Sequence, residues 1–132
     1  MKNQQPVKLP EEQPTMRLTA MPRDTNTAGD VFGGWIMSQV DLAGSIAANR
    51  RANGRVVTVA VNSFQFHMPV YIGDLISCYA KVTKVGTTSL SVFVEVFAER
   101  YPNRTECVKV TEATLTYVAV GNNGKPRPVD QK

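Results

Sequence analysis

Downstream of Arg55 the chain alternates apolar and polar residues with period two over four long runs, and upstream it repeats with the period of a helix. Residues 56–66 (VVTVAVNSFQF) are rich in β-branched and aromatic side chains and stop short of Pro69. They read as a strand, since such residues suit a pleated surface and proline removes a ladder donor. Residues 74–85 form the next strand, followed by a turn at Gly86-Thr87-Thr88. Residues 89–99 place Leu90, Val92, Val94 and Val96 on one face and Phe93, Glu95 and Phe97 on the other, and residues 107–120 complete the set. Between Gly33 and about Arg51, Ile36, Met37, Val40, Ala43, Ile46 and Ala47 recur at helical spacing. Asn53-Gly54 ends this helix, and Arg50 and Arg51 in its last turn complement the dipole. Residues 16–20 suffice for a short first strand. Residues 22–30 are loop by composition, with Asp24, Asn26 and Gly29 favouring turns and Asp30 placed to cap the helix.

The order is strand, long helix, four long strands. Consecutive strands joined by short turns are expected to pair antiparallel, with the helix laid across the concave face. The expected class is therefore α+β: one central helix wrapped by an antiparallel sheet of about five strands. Pairing of two copies at a sheet edge would shield that edge, so a dimer is expected. Residues 15–120 are read as a single domain, with flexible tails at 1–14 and 121–132, both rich in Pro, Gln, Asn or Gly.

Composition narrows the function. Apolar content of 42% and charged content of 20% describe a globular chain. No run reaches the roughly 18 apolar residues of a spanning helix, and the N-terminus has no apolar h-region. A cytoplasmic location without membrane attachment follows as the expectation, with Cys78 and Cys107 as free thiols. The formal charge of +4 is scattered, too dilute to argue nucleic-acid binding. Its nearest approach to a cluster, Arg50, Arg51 and Arg55, suits a phosphorylated ligand.

The candidate chemistry lies in and before the helix. Asp41 sits about two turns in, among Met37, Val40, Leu42 and Ala43. A carboxylate in such company costs free energy unless it is paired or used. Gly33 and Gly34 leave the first helical N–H groups uncovered, and those attract negative charge or a polarised carbonyl. The lone His67 and two distant cysteines give no zinc spacing and no serine triad, so no metal is expected and His67 reads as structural.

The segment Asp24-Thr-Asn26-x-x-Gly29-Asp-x-Phe-Gly33-Gly34-Trp-Ile-Met-Ser-Gln-x-Asp41 resembles the start of hotdog-fold acyl-CoA thioesterases, in particular the short bacterial YciA-type acyl-CoA hydrolases. The resemblance continues through Gly54-Arg-Val-Val-Thr-Val59, Pro69-Val-x-x-Gly73-Asp74, Val85-Gly-Thr-Thr-Ser89, Thr111-Glu-Ala113 and Tyr117-Val-Ala-Val120, and so spans about residues 16–126. It implies active sites at the interface of a two-fold dimer, with dimers assembling further into hexamers. It also implies a catalytic pair formed by Asn26 and Asp41. Asp41 would act as base for a water or as a direct nucleophile, and Asn26 would orient water or carbonyl. The amides of Gly33 and Gly34 would hold the developing oxyanion. No cofactor is implied, because coenzyme A is part of the substrate and product. Thr58 and Ser89 would line the site. Arg51, Arg55 and Lys84 would meet the CoA phosphates, joined by donors of Gly86, Thr87, Thr88 and Ser89. Two alternatives stay open. One is a hotdog enoyl-thioester hydratase or dehydratase, which counts on a histidine that His67, remote in sequence from the helix motif, does not obviously supply. The other is a non-catalytic acyl-CoA sensor.

Overall fold

The computed structural model describes residues 7–130. Residues 1–6 and 131–132, and with them the outer parts of both expected tails, lie outside the described residues. The elements are β1 (Met16–Thr19), α1 (Gly33–Ala52), β2 (Val56–Phe66), β3 (Leu75–Val85), β4 (Ser89–Glu99) and β5 (Cys107–Ala119). The described strands form one five-stranded antiparallel sheet in the order β1-β3-β4-β5-β2, and α1 packs against β2 to β5. This is the expected α+β architecture.

The core lies between α1 and the sheet. Leu90, Val92, Val94 and Val96 of β4 are fully buried, as their alternation predicts, and Leu115 and Tyr117 join them from β5. Each such aliphatic side chain contributes about 1.5–3 kcal/mol by leaving water. On α1 the buried positions are Ile36, Val40, Ala43, Gly44, Ala48 and Ala52. Their small size lets the helix lie close to the strands. Met37, expected on this face, is 41% exposed, and Leu42 is 52% exposed. One residue is a rotation of about 100° on a helix, and that carries Met37 off the core stripe onto the outer surface.

Two expectations need correction. Strands β3, β4 and β5 pair consecutively, but β2 pairs with β5 at the far edge and not with β3. The eight-residue connector 67–74 is too long for a hairpin. It crosses the N-terminal end of α1 instead, where the Val31 N–H donates to the Val70 carbonyl (3.2 Å). Its far end is pinned by Asp74, which is 1% exposed and accepts from the Tyr71 N–H (2.8 Å) and Arg100 Nη1 (2.5 Å). The second correction concerns residues 121–130, expected to be loose. They turn back on themselves through a bridge between Val120 and Pro126. They then dock on the helix end: Arg127 Nη2 donates to the Ala52 carbonyl (2.9 Å), the Val129 N–H donates to Thr87 (2.8 Å), and Val129 is 4% exposed. An Asn/Gly/Pro composition serves tight turns as well as solvated tails, and one buried valine decides between them.

Candidate active site

Asp41 is half-buried on the middle of α1. Thr58 on β2 donates its hydroxyl to Asp41 Oδ1 (2.7 Å). From β5, the Tyr117 hydroxyl donates to the same oxygen (2.9 Å) and lies 2.8 Å from the Asp41 backbone carbonyl. Among the described residues no hydrogen bond reaches Oδ2. One carboxylate oxygen is thus fixed by two hydroxyls from two strands, and the other is available to a water or a substrate. Burial and the neighbouring Asp41 hold the Tyr117 hydroxyl well above the usual phenol range, so it stays a proton donor.

The backbone is shaped around this contact. A Cβ on Gly44 would stand 2.3 Å from the Tyr117 hydroxyl oxygen, so only glycine admits the tyrosine to the helix. A register shift between Thr58 and Ala60 bulges β2 directly beyond the threonine. Such bulges re-aim side chains at edges and near sites.

The helix N-terminus is open. Its N-cap is Phe32, whose side chain makes no capping bond, and no acid occupies the first turn. Asp30 is therefore not the cap: it bridges to Tyr71, and its N–H donates to Asn26 Oδ1 (3.1 Å). Intrahelical bonding starts with the N–H groups of Trp35 (3.1 Å) and Ile36 (3.3 Å), both to the Phe32 carbonyl. The amides of Gly33 and Gly34 have no acceptor among the described residues, and nothing lies within 4 Å of the position a Cβ on Gly34 would take. Asn26 Oδ1 also accepts from the Ala28 N–H (2.9 Å), so its oxygen organises the loop and its amide NH2 remains free to donate.

Beside these amides lies an apolar cavity of about 360 Å³ walled by Val31, Gly33, Ile36, Phe66 and Met68. His67, read as structural, lines the same cavity and is exposed. Sequence distance from the helix motif did not mean distance in space, because the 67–74 connector folds over the helix start. Tyr117 was the other omission. A tyrosine at an inward position of β5 needs a partner for its hydroxyl, and a glycine in mid-helix marks a close approach; together they pointed to it.

The expected site residues fall into separate groups. Asp41 and Thr58 are in contact, whereas Asn26, Gly33 and Gly34 gather at the helix start. Arg51 and Arg55 share a cavity at the helix end, where Arg51 is tied to Asp130 (2.7 Å). Lys84 is exposed on β3 beside the Gly86–Ser89 turn, at the same end of the sheet but outside that cavity's wall.

A single helix in a wrapped antiparallel sheet, with an anchored carboxylate in mid-helix and open amides at its start, is the hotdog arrangement of thioesterases. Residues 28–101 match the thioesterase superfamily, and the chain belongs to it. It is similar to the acyl-CoA thioester hydrolase YciA of Salmonella typhimurium, 48% identical over 122 residues that cover 91% of this chain and 92% of that protein. The YciA of Escherichia coli is 46% identical over 121 residues, covering 90% and 92%. Among solved structures it resembles Cj0915, a hexameric hotdog-fold thioesterase of Campylobacter jejuni (TM-score 0.84, 52% identity, 89% of this chain and 90% of that one). It also resembles HI0827, a hexameric broad-specificity acyl-coenzyme A thioesterase (TM-score 0.86, 44% identity, 95% and 86%).

Proposed function

We propose that this protein hydrolyses acyl-CoA thioesters to a carboxylic acid and CoA in the cytoplasm, without a cofactor. The observation that carries the reading is Asp41, with Oδ1 held by Thr58 and Tyr117 and Oδ2 open. Oδ2 takes a proton from water as the water oxygen attacks the thioester carbon. The carbonyl oxygen gains charge and is held by the Gly33 and Gly34 amides, reinforced by the helix dipole and the Asn26 amide. Collapse of the tetrahedral intermediate expels the thiolate, and the proton held by Asp41 returns to it. Attack by Asp41 itself would instead give a mixed anhydride. A single turnover in heavy-oxygen water separates the routes, because only the anhydride route labels Asp41.

One chain does not hold the whole constellation. Gly33 and Asp41 are eight residues apart on α1, or about 12 Å at a rise of about 1.5 Å per residue. A base, its water and an oxyanion donor around one carbon span roughly 6 Å. A second copy closes the gap. β2 is an unpaired sheet edge with Val57, Val59 and Val61 at 36–54% exposure, beside the exposed Met37 and Leu42 of α1. Antiparallel pairing of two β2 edges about Val61 sets the partner's Phe66 opposite Val56. Phe66 packs over Gly33, its ring 3.2 Å from where a Cβ would be. The partner's helix start therefore arrives beside Thr58 and Asp41. Each site then joins Asp41 of one protomer to Asn26, Gly33 and Gly34 of the other, and three such dimers would make a hexamer, the state in which the two solved relatives are described.

The test is thiol release from short to long acyl-CoAs by wild type and Asp41→Asn. Cys78 does not confuse the thiol reporter, since burial pushes its pKa up to about 12. The expected result is a loss in kcat of about 100-fold or more; equal rates would remove Asp41 from the mechanism. The placement of His67 in the wall beside Gly33 favours a second reading, hydration of enoyl-CoA. Water addition to an enoyl-CoA without thiol release would establish it over hydrolysis.

A further inference from the structure

The loop that carries Asn26 hangs on the 67–74 connector. The Asn26 N–H donates to the Asp30 carbonyl (2.8 Å), and the Asp30 N–H returns to Asn26 Oδ1 (3.1 Å). Asp30 in turn bridges to Tyr71, and the Val31 N–H donates to the Val70 carbonyl (3.2 Å). Val70 and Tyr71 thus set where the Asn26 side chain stands.

Those two residues are braced from both sides by one guanidinium. Arg100, directly after β4, donates through Nη1 to the Pro69 carbonyl (3.0 Å) and to Asp74 Oδ2 (2.5 Å), and it lies 4.7 Å over the Tyr71 ring. Asp74 Oδ2 also accepts from the Tyr71 N–H (2.8 Å), while the Asp74 N–H donates to the Tyr71 carbonyl (3.1 Å). This closes a tight turn that needs Gly73 at φ +88°. Arg104 adds a second strut by donating to the Gly73 carbonyl. The Arg100 and Asp74 side chains are 13% and 2% exposed, so salt and solvent screen the pair little.

We propose that Arg100 and Asp74 are positioning residues for hydrolysis, which hold the Asn26 amide on the reacting carbonyl through Tyr71 and Asp30 without touching substrate. The inference rests on the hydrolase reading above. Gly33, Gly34 and Asp41 are carried by α1 itself, whereas Asn26 stands seven residues ahead of the helix and takes its place from the braced loop. A misplacement of about 1 Å by a change far from the chemistry can cost about 100-fold in rate, so a brace this remote can matter to turnover. Its loss falls on kcat and spares KM, because Asn26 acts on the oxygen as it gains charge.

The test measures thiol release from acyl-CoA, well below the unfolding midpoint of every variant. Arg100→Gln is expected to lower kcat about ten-fold with KM within about two-fold. Arg100→Lys, whose ammonium keeps the charge, recovers part of the loss and serves if the glutamine variant does not fold. Val94→Ala, a cavity in the core beneath the sheet, keeps wild-type kcat although it lowers stability. The decisive readout is a pair of double-mutant cycles. Asn26→Asp keeps the oxygen that organises the loop and removes the NH2, and on that background Arg100→Gln costs less than about two-fold further. On Tyr117→Phe, which acts on Asp41 instead, the two losses multiply. An unchanged kcat in the Arg100 variants, an equal loss in Val94→Ala, or losses that multiply on Asn26→Asp overturns the inference and leaves hydrolysis intact. Failure of the hydrolase reading shows separately, as no thiol release by wild type.

Discussion

Asp41 is held in place by its neighbours. Thr58 and Tyr117 fix one oxygen from two different strands, and Gly44 makes the space that brings the phenol in. Loss of a hydrogen bond to a charged group is worth about 1.5–3 kcal/mol. Tyr117→Phe is therefore expected to lower kcat by about 10- to 100-fold with KM nearly unchanged. Gly44→Ala acts through the same contact, because its new methyl collides with the hydroxyl. The two substitutions are coupled: adding Tyr117→Phe to Gly44→Ala removes the worst clash and should recover thermal stability relative to Gly44→Ala alone, as a double-mutant cycle would show. Additive losses would mean that the glycine serves some contact other than Tyr117.

At the scale of elements, local pattern gave reliable boundaries. Period two and period 3.6 placed β2 to β5 and α1 within about two residues, because each stretch is long and carries its own signal. What local pattern does not carry is pairing. Nothing in residues 56–66 says that they join β5, since the partner is chosen by where the 67–74 connector goes. Tyr117 and Asp41 are 76 positions apart, so their contact exists only once the sheet is assembled. Asp41 and Thr58 were legible because a carboxylate on an apolar helix is conspicuous and the motif repeats a known family. The connector itself depends on Arg100. Removing it leaves Asp74 buried without its cation, and breaking such a pair costs about 3–5 kcal/mol. Arg100→Ala should therefore lower the midpoint of urea unfolding substantially, with the slope unchanged. A shift no larger than that of an exposed arginine such as Arg23 would contradict the clamp.

At the scale of the whole molecule, β2 is left as a sheet edge, and Gly33 and Asp41 stand eight residues apart on α1. An eleven-residue edge strand with exposed valines invites pairing, and the solved relatives Cj0915 and HI0827 are hexamers. Mixing two inactive variants tests whether the site is shared. Asp41→Asn protomers keep the loop and glycines, and Asn26→Ala protomers keep the aspartate. In a mixed dimer one site regains both parts. Refolding the two together in equal amounts should restore about a quarter of wild-type activity, given random pairing of protomers. No recovery would place both groups in the same protomer's site.

The stretch of α1 that separates Gly33 from Asp41 has a consequence for descent. If two copies of such a gene became joined in tandem, the fused polypeptide would fold as its own pair, and one aspartate with one opposing loop would keep a single pocket working. The remaining aspartate and loop would be released from selection together, as a matched set, one in each repeat. Duplicated descendants of this architecture would then carry complementary losses, each repeat inert in isolation and the pair competent.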